Sequence, residues 1–248
     1  MTDLLRGRVA FVTGAGRGIG RAIAVAFARE GASIGCAART QNEIDEVAAE
    51  ITANGGRAIA TPCDVADAAA VDGAVAQTVD AFGGLDIVVA NAGAMNALVN
   101  LESTEPDEFR RVVDVNLMGP FHCARAAVPA LRARGGGHFI VIGSGAGRRA
   151  GPGFGPYSTS KAGAAMFVRI LAQELRADRI AVNEIVPGPV MTRLAGFSSG
   201  NEERLRSMFP ANEWVKSPDD VVPLAMFIVT QPPHGATGQV FSLLGRDG

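Results

Sequence analysis

Residues 13–20 read Thr13-Gly14-Ala15-Gly16-Arg17-Gly18-Ile19-Gly20, and no other stretch limits the possible fold as strongly. An apolar run at residues 8–13 precedes it, and Ile19, Ile23 and Phe27 follow at helical spacing. The order is strand, turn, helix. Glycines in such a turn permit positive φ and let the backbone approach a pyrophosphate at the helix N-terminus. A plain tight turn is the other reading, but a buried strand before it and an amphipathic helix after it favour a nucleotide.

The same alternation continues along the chain. Strands are expected at residues 32–37, 57–61, 85–89, 138–142, 180–186 and about 239–243. Between them lie helical segments with Ile44, Val47, Ala48 and Ile51 on one side, then Val71, Val75, Val79 and Phe82. A long helical stretch at about 106–134 is bent at Gly119-Pro120, because proline in a helix interior lacks the backbone donor. Ser217-Pro218-Asp219-Asp220 is a helix start with serine as N-cap and proline at the first helical position. Six or seven strands in alternation predict an α/β, Rossmann-type, doubly wound parallel sheet in three layers. With 48% hydrophobic residues among 248 there is enough apolar material to cover both faces of that sheet. No repeat, low-complexity tract or linker divides the chain, so one domain over residues 1–248 is expected.

A net charge of −2 gives no overall attraction to nucleic acid or to an anionic membrane. The first residues lack the apolar region of a signal peptide and no run is long enough to span a bilayer, so a cytoplasmic location is expected. Cys36, Cys63 and Cys123 are odd in number and show no CxxC spacing, and the three histidines form no ligand pair. Neither a disulfide nor a metal site is predicted.

Chemistry enters at Tyr157-Ser158-Thr159-Ser160-Lys161. A phenol and an ammonium four residues apart share a helix face, about 6 Å apart along the axis. An ammonium there lowers the phenol pKa from about 10 and makes Tyr157 a candidate general acid or base. Taken alone, the pair also fits a solvated helix surface. Ser144, however, follows the apolar run at 138–142, so its hydroxyl falls at the carboxyl end of a strand, where open α/β sheets bind ligands. The loop after it carries Arg148 and Arg149, expected at the mouth of the site. Asn116 places a polar amide among Val112, Val113, Val115 and Leu117, and a buried amide needs partners.

Gly14, Gly18 and Gly20 form a TGxxxGxG pattern, followed in order by Asn91-Ala92-Gly93, Asn116, Ser144 with Tyr157 and Lys161, and Pro187-Gly188-Pro189-Val190-Met191-Thr192 as PGxxxT. In this set the chain resembles the short-chain dehydrogenase/reductase family over nearly its whole length, and within it the 3-oxoacyl-carrier-protein reductase-like members. The resemblance implies that Tyr157 protonates a carbonyl oxygen, Ser144 orients it, Lys161 holds ribose hydroxyls, and Asn116 holds a water beside the lysine. It further implies that Thr13, Gly14, Arg17, Gly18, Ile19 and Gly20 shape the pyrophosphate site, with Asn91, Ala92 and Gly93 beside it. Asp64 and the Val65 backbone would meet the adenine, unless Asp64 caps the next helix. Pro187, Gly188, Val190 and Thr192 would hold the nicotinamide carboxamide. Ala90 departs from the asparagine common in the family, and the tail after Leu243 departs from its DGG-like ending.

At the end of the second strand stand Ala38 and Arg39, with no carboxylate there to accept from a ribose 2′-hydroxyl. A guanidinium suits a 2′-phosphate, so Arg39 with Arg17 predicts NADP(H) unless both are solvated surface residues. The expected reaction is reduction of a small-molecule carbonyl to an alcohol. Two other readings stay open: an alcohol or sugar-type dehydrogenase working toward oxidation, and a dinucleotide-binding redox sensor without turnover. Residues at about 190–214 mix large apolar side chains with charges, as a substrate lid or as a packed surface helix. The segments at 106–134 and after Tyr157 are apolar over more than one face. The resemblance implies a two-fold four-helix interface there and a homodimer or homotetramer.

Overall fold

The computed structural model describes residues 3–149, 151–195 and 213–245. Its seven strands are β1 (Val9–Thr13), β2 (Ser33–Ala38), β3 (Arg57–Pro62), β4 (Ile87–Ala90), β5 (Gly137–Ile142), β6 (Ile180–Val186) and β7 (Val240–Ser242). They form one sheet in the order β3-β2-β1-β4-β5-β6-β7, every pair parallel. Helices cover both faces, so the fold is a three-layer α/β doubly wound sheet. Strands β1, β4, β5 and β6 are buried at every position. Apart from His138 in β5 and Asn183 and Glu184 in β6, such strands read as near-continuous apolar runs because no face meets water.

Alternate residues of each strand feed two cores. Phe11, Val88, Phe139 and Val182 pack with α3 (Ala68–Phe82), α5 (Gly119–Ala133) and α6 (Gly155–Glu174). Val12, Ile87, Ile140 and Ile185 pack with α1 (Gly18–Arg29), α2 (Gln41–Ala53) and α7 (Val222–Thr230). Cys36, Cys63 and Cys123 lie in these cores as small apolar groups, and burial pushes their thiols up, Cys36 to about 12. Ser217 and Asp220 form a reciprocal capping box at the turn that leads into α7.

The expected bend at Gly119-Pro120 takes a definite form. Helix α4 (Pro106–Val113) passes through a π turn at Asp114–Met118, where Gly119 N donates to Asp114 O, before α5 begins. Pro120 has no N–H to offer the Asn116 carbonyl, so the regular ladder cannot run through this point. Among the described residues, no helix is long and apolar enough to cross a membrane. Most of the expected lid, residues 196–212, and the tail at 246–248 lie outside the described residues.

The strand order reverses between β1 and β4, which opens a crevice beyond their carboxyl ends. The glycine turn after β1, the segments after β4 and β5, and the PGxxxT stretch after β6 all lead from that edge.

Candidate active site

One wall of the crevice is the turn from β1 into α1. Gly20 stands so close to the Gly14 carbonyl that any side chain there would overlap it, which is why the helix can start directly under the turn. Across the switch point, the Thr13 hydroxyl accepts from the backbone N–H of Asn91 and Ala92, both at 3.0 Å. The Asn91 amide donates back to Thr13 O at 2.8 Å and Gly14 O at 3.3 Å. These bonds staple β4 to the glycine turn. The staple fixes both edges of the crevice.

The crevice has a volume of about 1000 Å³, and Ser144, Tyr157 and Lys161 all line it. Ser144 leaves β5 and accepts from Ala146 N at 3.2 Å, which turns the chain just beyond the strand. Tyr157 and Lys161 share a face at the start of α6, with Nζ 5.9 Å from the ring centroid. The Tyr157 backbone N–H donates to Asn96 Oδ1 at 3.3 Å, and Asn96 Nδ2 donates to Gly153 O at 2.8 Å. Asn96 therefore ties the segment after β4 to the first turn of α6. Lys161 is buried, and among the described residues its Nζ makes one hydrogen bond, to Ile142 O at 2.8 Å.

Burial changes the expected electrostatics. The ammonium was expected to draw the Tyr157 phenol down, but burial raises it and only the hydrogen bond with Ser144 pulls the other way. Lys161 faces the Ile142 carbonyl and is itself lowered to about 8 by burial, with Glu184 opposing. Desolvation outweighs the pairing in both groups.

Asn116 is buried behind these groups and does not line the crevice. Its Oδ1 accepts from Ala94 N at 2.8 Å, and its Nδ2 donates to Ala94 O at 2.9 Å and Ser160 Oγ at 3.0 Å. Both amide protons are thus engaged with protein. Ser160 Oγ in turn donates to Tyr157 O at 2.7 Å, so the amide braces the helix that carries the tyrosine. Thr13 and Gly20 also lie outside the lining and act through the staple and the close approach.

The other expected cofactor residues, Gly14, Arg17, Gly18, Ile19, Arg39, Asp64, Val65, Asn91, Ala92, Gly93, Pro187, Gly188, Val190 and Thr192, all line the same crevice. Asp64 does not cap the next helix. Asp67 does, accepting from Ala69 N and Ala70 N at 2.8 and 3.2 Å. Two expectations about arginines need correction. Arg17 was expected without an opposing carboxylate, yet Glu43 in the first turn of α2 accepts from its Nη1 at 3.0 Å and from Arg193 Nη1 at 3.3 Å. Arg148 turns away from the mouth onto Glu184, while Arg149 lines the crevice. Glu43 and Asn96 were missed because neither belongs to a spaced motif.

A family model described as short chain dehydrogenase matches residues 8–203. The chain belongs to the short-chain dehydrogenase family. It is 35% identical over 243 residues to a 3-oxoacyl-[acyl-carrier-protein] reductase of Synechocystis sp., covering 97% of both chains. It is also 36% identical over 240 residues to glycine betaine reductase of Emericella nidulans, covering 95% of this chain but spanning only 18% of that much longer protein. A metagenomic short-chain oxidoreductase solved in complex with NADP superposes with a TM-score of 0.81 at 30% identity, over 96% of this chain and 97% of that one.

The residues of this short-chain dehydrogenase fit a nicotinamide dinucleotide. The crevice runs unbroken from the glycine turn to Tyr157, and the buried Lys161 ammonium has two N–H groups beyond its bond to Ile142. Chemically, the arrangement places one hydroxyl donor, one phenol and one ammonium along a wall shared with the PGxxxT backbone. That set can orient an oxygen and deliver a proton to it.

Proposed function

We propose that the protein is an NADP(H)-dependent carbonyl reductase that converts a ketone or 3-oxoacyl-like carbonyl to the alcohol. The observation that carries this reading is the convergence of Ser144, Tyr157 and Lys161 on a crevice continuous with the glycine turn. A bound nicotinamide dinucleotide supplies the hydride. Tyr157 gives its proton to the carbonyl oxygen, and desolvation of the half-buried ring raises the phenol, which favours the protonated form that acts as the acid. Ser144 holds the same oxygen in line. Lys161 holds the ribose hydroxyls with its free N–H groups, and Asn116 keeps α6 in place through Ser160.

The NADP assignment draws support from Arg39, exposed on the crevice wall with no ion pair among the described residues, and from the NADP-bound relative. Glu43 bears against it by holding Arg17. For a 2′-phosphate to be read by both arginines, Arg17 must leave that carboxylate. Segment 190–214 serves as the substrate lid in this reading. Subunits pair through α5 and α6, where Phe121, Met166 and Ile170 present apolar surface to solvent.

The test is NADPH consumption against a panel of ketones and 3-oxoacyl thioesters, with Tyr157→Phe as control. Turnover by the wild type and its loss in the variant, at unchanged NADPH affinity, are expected. NADPH binding without turnover on any carbonyl would instead support the redox-sensor reading.

A further inference from the structure

Glu184 stands in the middle of β6 and is 1% exposed, where a carboxylate is costly to hold unless a partner meets it. Arg148 supplies that partner from the turn after Ser144. Its Nη1 lies 3.1 Å from Oε1 and its Nη2 2.6 Å from Oε2, a two-pronged pairing of guanidinium and carboxylate. Gly143 leaves the space for it, since any side chain there would overlap Oε1.

The turn Gly145–Gly147 is held from its other side as well. A Cβ on Gly147 would fall 2.8 Å from the Lys161 carbonyl carbon and 2.9 Å from Ala162 N, so the turn lies flush on the α6 backbone at Lys161. The Lys161 ammonium donates to Ile142 O, two residues before Ser144. Glu184 Oε1 thus lies against Gly143, and the Lys161 ammonium against the carbonyl of the residue before it. Tyr157 faces Lys161 from its own helix, Glu184 acts on it from β6, and Arg148 pairs with Glu184. Neither Arg148 nor Glu184 lines the crevice. A buried ion pair is poor evidence for stability, because well-packed apolar residues of the same volume often serve as well or better. Its position beside the reacting groups points to a different use.

We propose that the Glu184–Arg148 pair is a positioning device: it fastens the Ser144 turn to β6 and keeps a negative charge behind the Lys161 ammonium. The inference rests on the reading of Ser144, Tyr157 and Lys161 as the reacting groups. Its consequences divide between the two partners. Arg148 controls where the serine turn sits, and Glu184 controls both the turn and the proton affinity of the lysine.

The experiment compares wild type with Arg148→Met, Arg148→Lys and Glu184→Gln. Four quantities are read: kcat and KM, the pH profile of kcat, NADPH affinity without substrate, and hydrogen exchange of the peptide covering 143–149. Arg148→Met should lower kcat about 10- to 100-fold, the cost of a misplaced group, with NADPH affinity changed less than about threefold. Exchange at 143–149 should quicken while β1 and β4 stay protected, and Arg148→Lys should recover part of kcat. Glu184→Gln should move the alkaline limb of kcat to lower pH, because the ammonium loses the charge that helps it keep its proton. An unchanged kcat and pH limb in both Arg148→Met and Glu184→Gln would overturn the inference. So would a parallel fall of kcat, NADPH affinity and melting temperature, which marks general unfolding. Exchange and NADPH binding need no substrate, so a wild type that reduces no carbonyl would sink the reductase reading while unchanged exchange at 143–149 would sink this one.

Discussion

Lys161 shows how strongly burial governs the chemistry at the level of single residues. Its ammonium is lowered from 10.5 to about 8, which sets a pH above which the free protein loses the charge that would hold ribose hydroxyls. NADPH affinity should therefore weaken as pH rises through about 8, and Lys161→Ala should remove that dependence. Fluorescence titration at several pH values checks this, and a constant affinity across that range would contradict it. Glu43 gives a second prediction. Because its carboxylate occupies Arg17 and adds negative charge where a 2′-phosphate would sit, Glu43→Gln should tighten 2′,5′-ADP binding by roughly three- to tenfold, with partial exposure keeping the effect modest. Affinity for 5′-AMP should hardly change. Weaker binding of both would mean that Glu43 supports the site. The difference between legible and illegible residues is physical. Ser144, Tyr157, Lys161 and the glycines act through spacing within one turn or strand end, which a sequence displays. Glu43, Asn96 and Arg148 act through contacts across 26, 61 and 36 positions, to Arg17, Tyr157 and Glu184, and no local pattern carries such pairings.

Among the elements, β1, β4 and β5 were readable because burial at every residue leaves a near-continuous apolar run in the sequence, and β6 was readable despite Asn183 and Glu184 inside its run. The π turn was only half readable: Pro120 announced a break, but the pairing of Asn116 with Ala94 inside that turn spans 22 positions and leaves no local pattern. Asn116→Ala should leave the buried Ala94 N–H and C=O without their side-chain partner, at a cost of about 2–5 kcal/mol in unfolding free energy. A loss below about 0.5 kcal/mol in urea unfolding would show that the brace is dispensable. Strand β5 holds a further liability in His138, whose ring nitrogens make no hydrogen bond of good geometry. Burial, with help from Arg8, lowers it from 6.5 to about 4, and the Gln231 backbone offsets this only weakly. The folded pKa lies below the unfolded one, so the unfolded chain binds the extra proton between them. The stability involved is whole above pH 6.5 and shrinks as pH falls toward about 4, by about 3 kcal/mol in all. His138→Phe should flatten that slope in urea unfolding measured at several pH values. A slope equal to that of wild type would place the titration elsewhere.

For the molecule as a whole, one parallel sheet brings the segments that follow β1 to β6 to a common edge, and that convergence makes a site of residues scattered from position 14 to position 192. The helices behind that edge were expected to be apolar on more than one face, and Phe121, Met166 and Ile170 are exposed at 43%, 51% and 51%. Three large apolar side chains on two adjacent helices fit a surface covered by a second copy. Light scattering at micromolar concentration should give a dimer or larger, and Met166→Glu with Ile170→Glu should shift it toward monomer. A monomeric wild type would show that α5 and α6 do not pair. In the proposed reaction Tyr157 delivers a proton to a carbonyl on this crevice while dinucleotide binding depends on other residues. Its most direct measurement is the rate of carbonyl-dependent NADPH consumption by wild type and Tyr157→Phe, with NADPH affinity determined for both. Tyr157→Phe should lose at least about 100-fold in kcat at nearly equal affinity, and a variant that retains near wild-type kcat would show that another group is the acid.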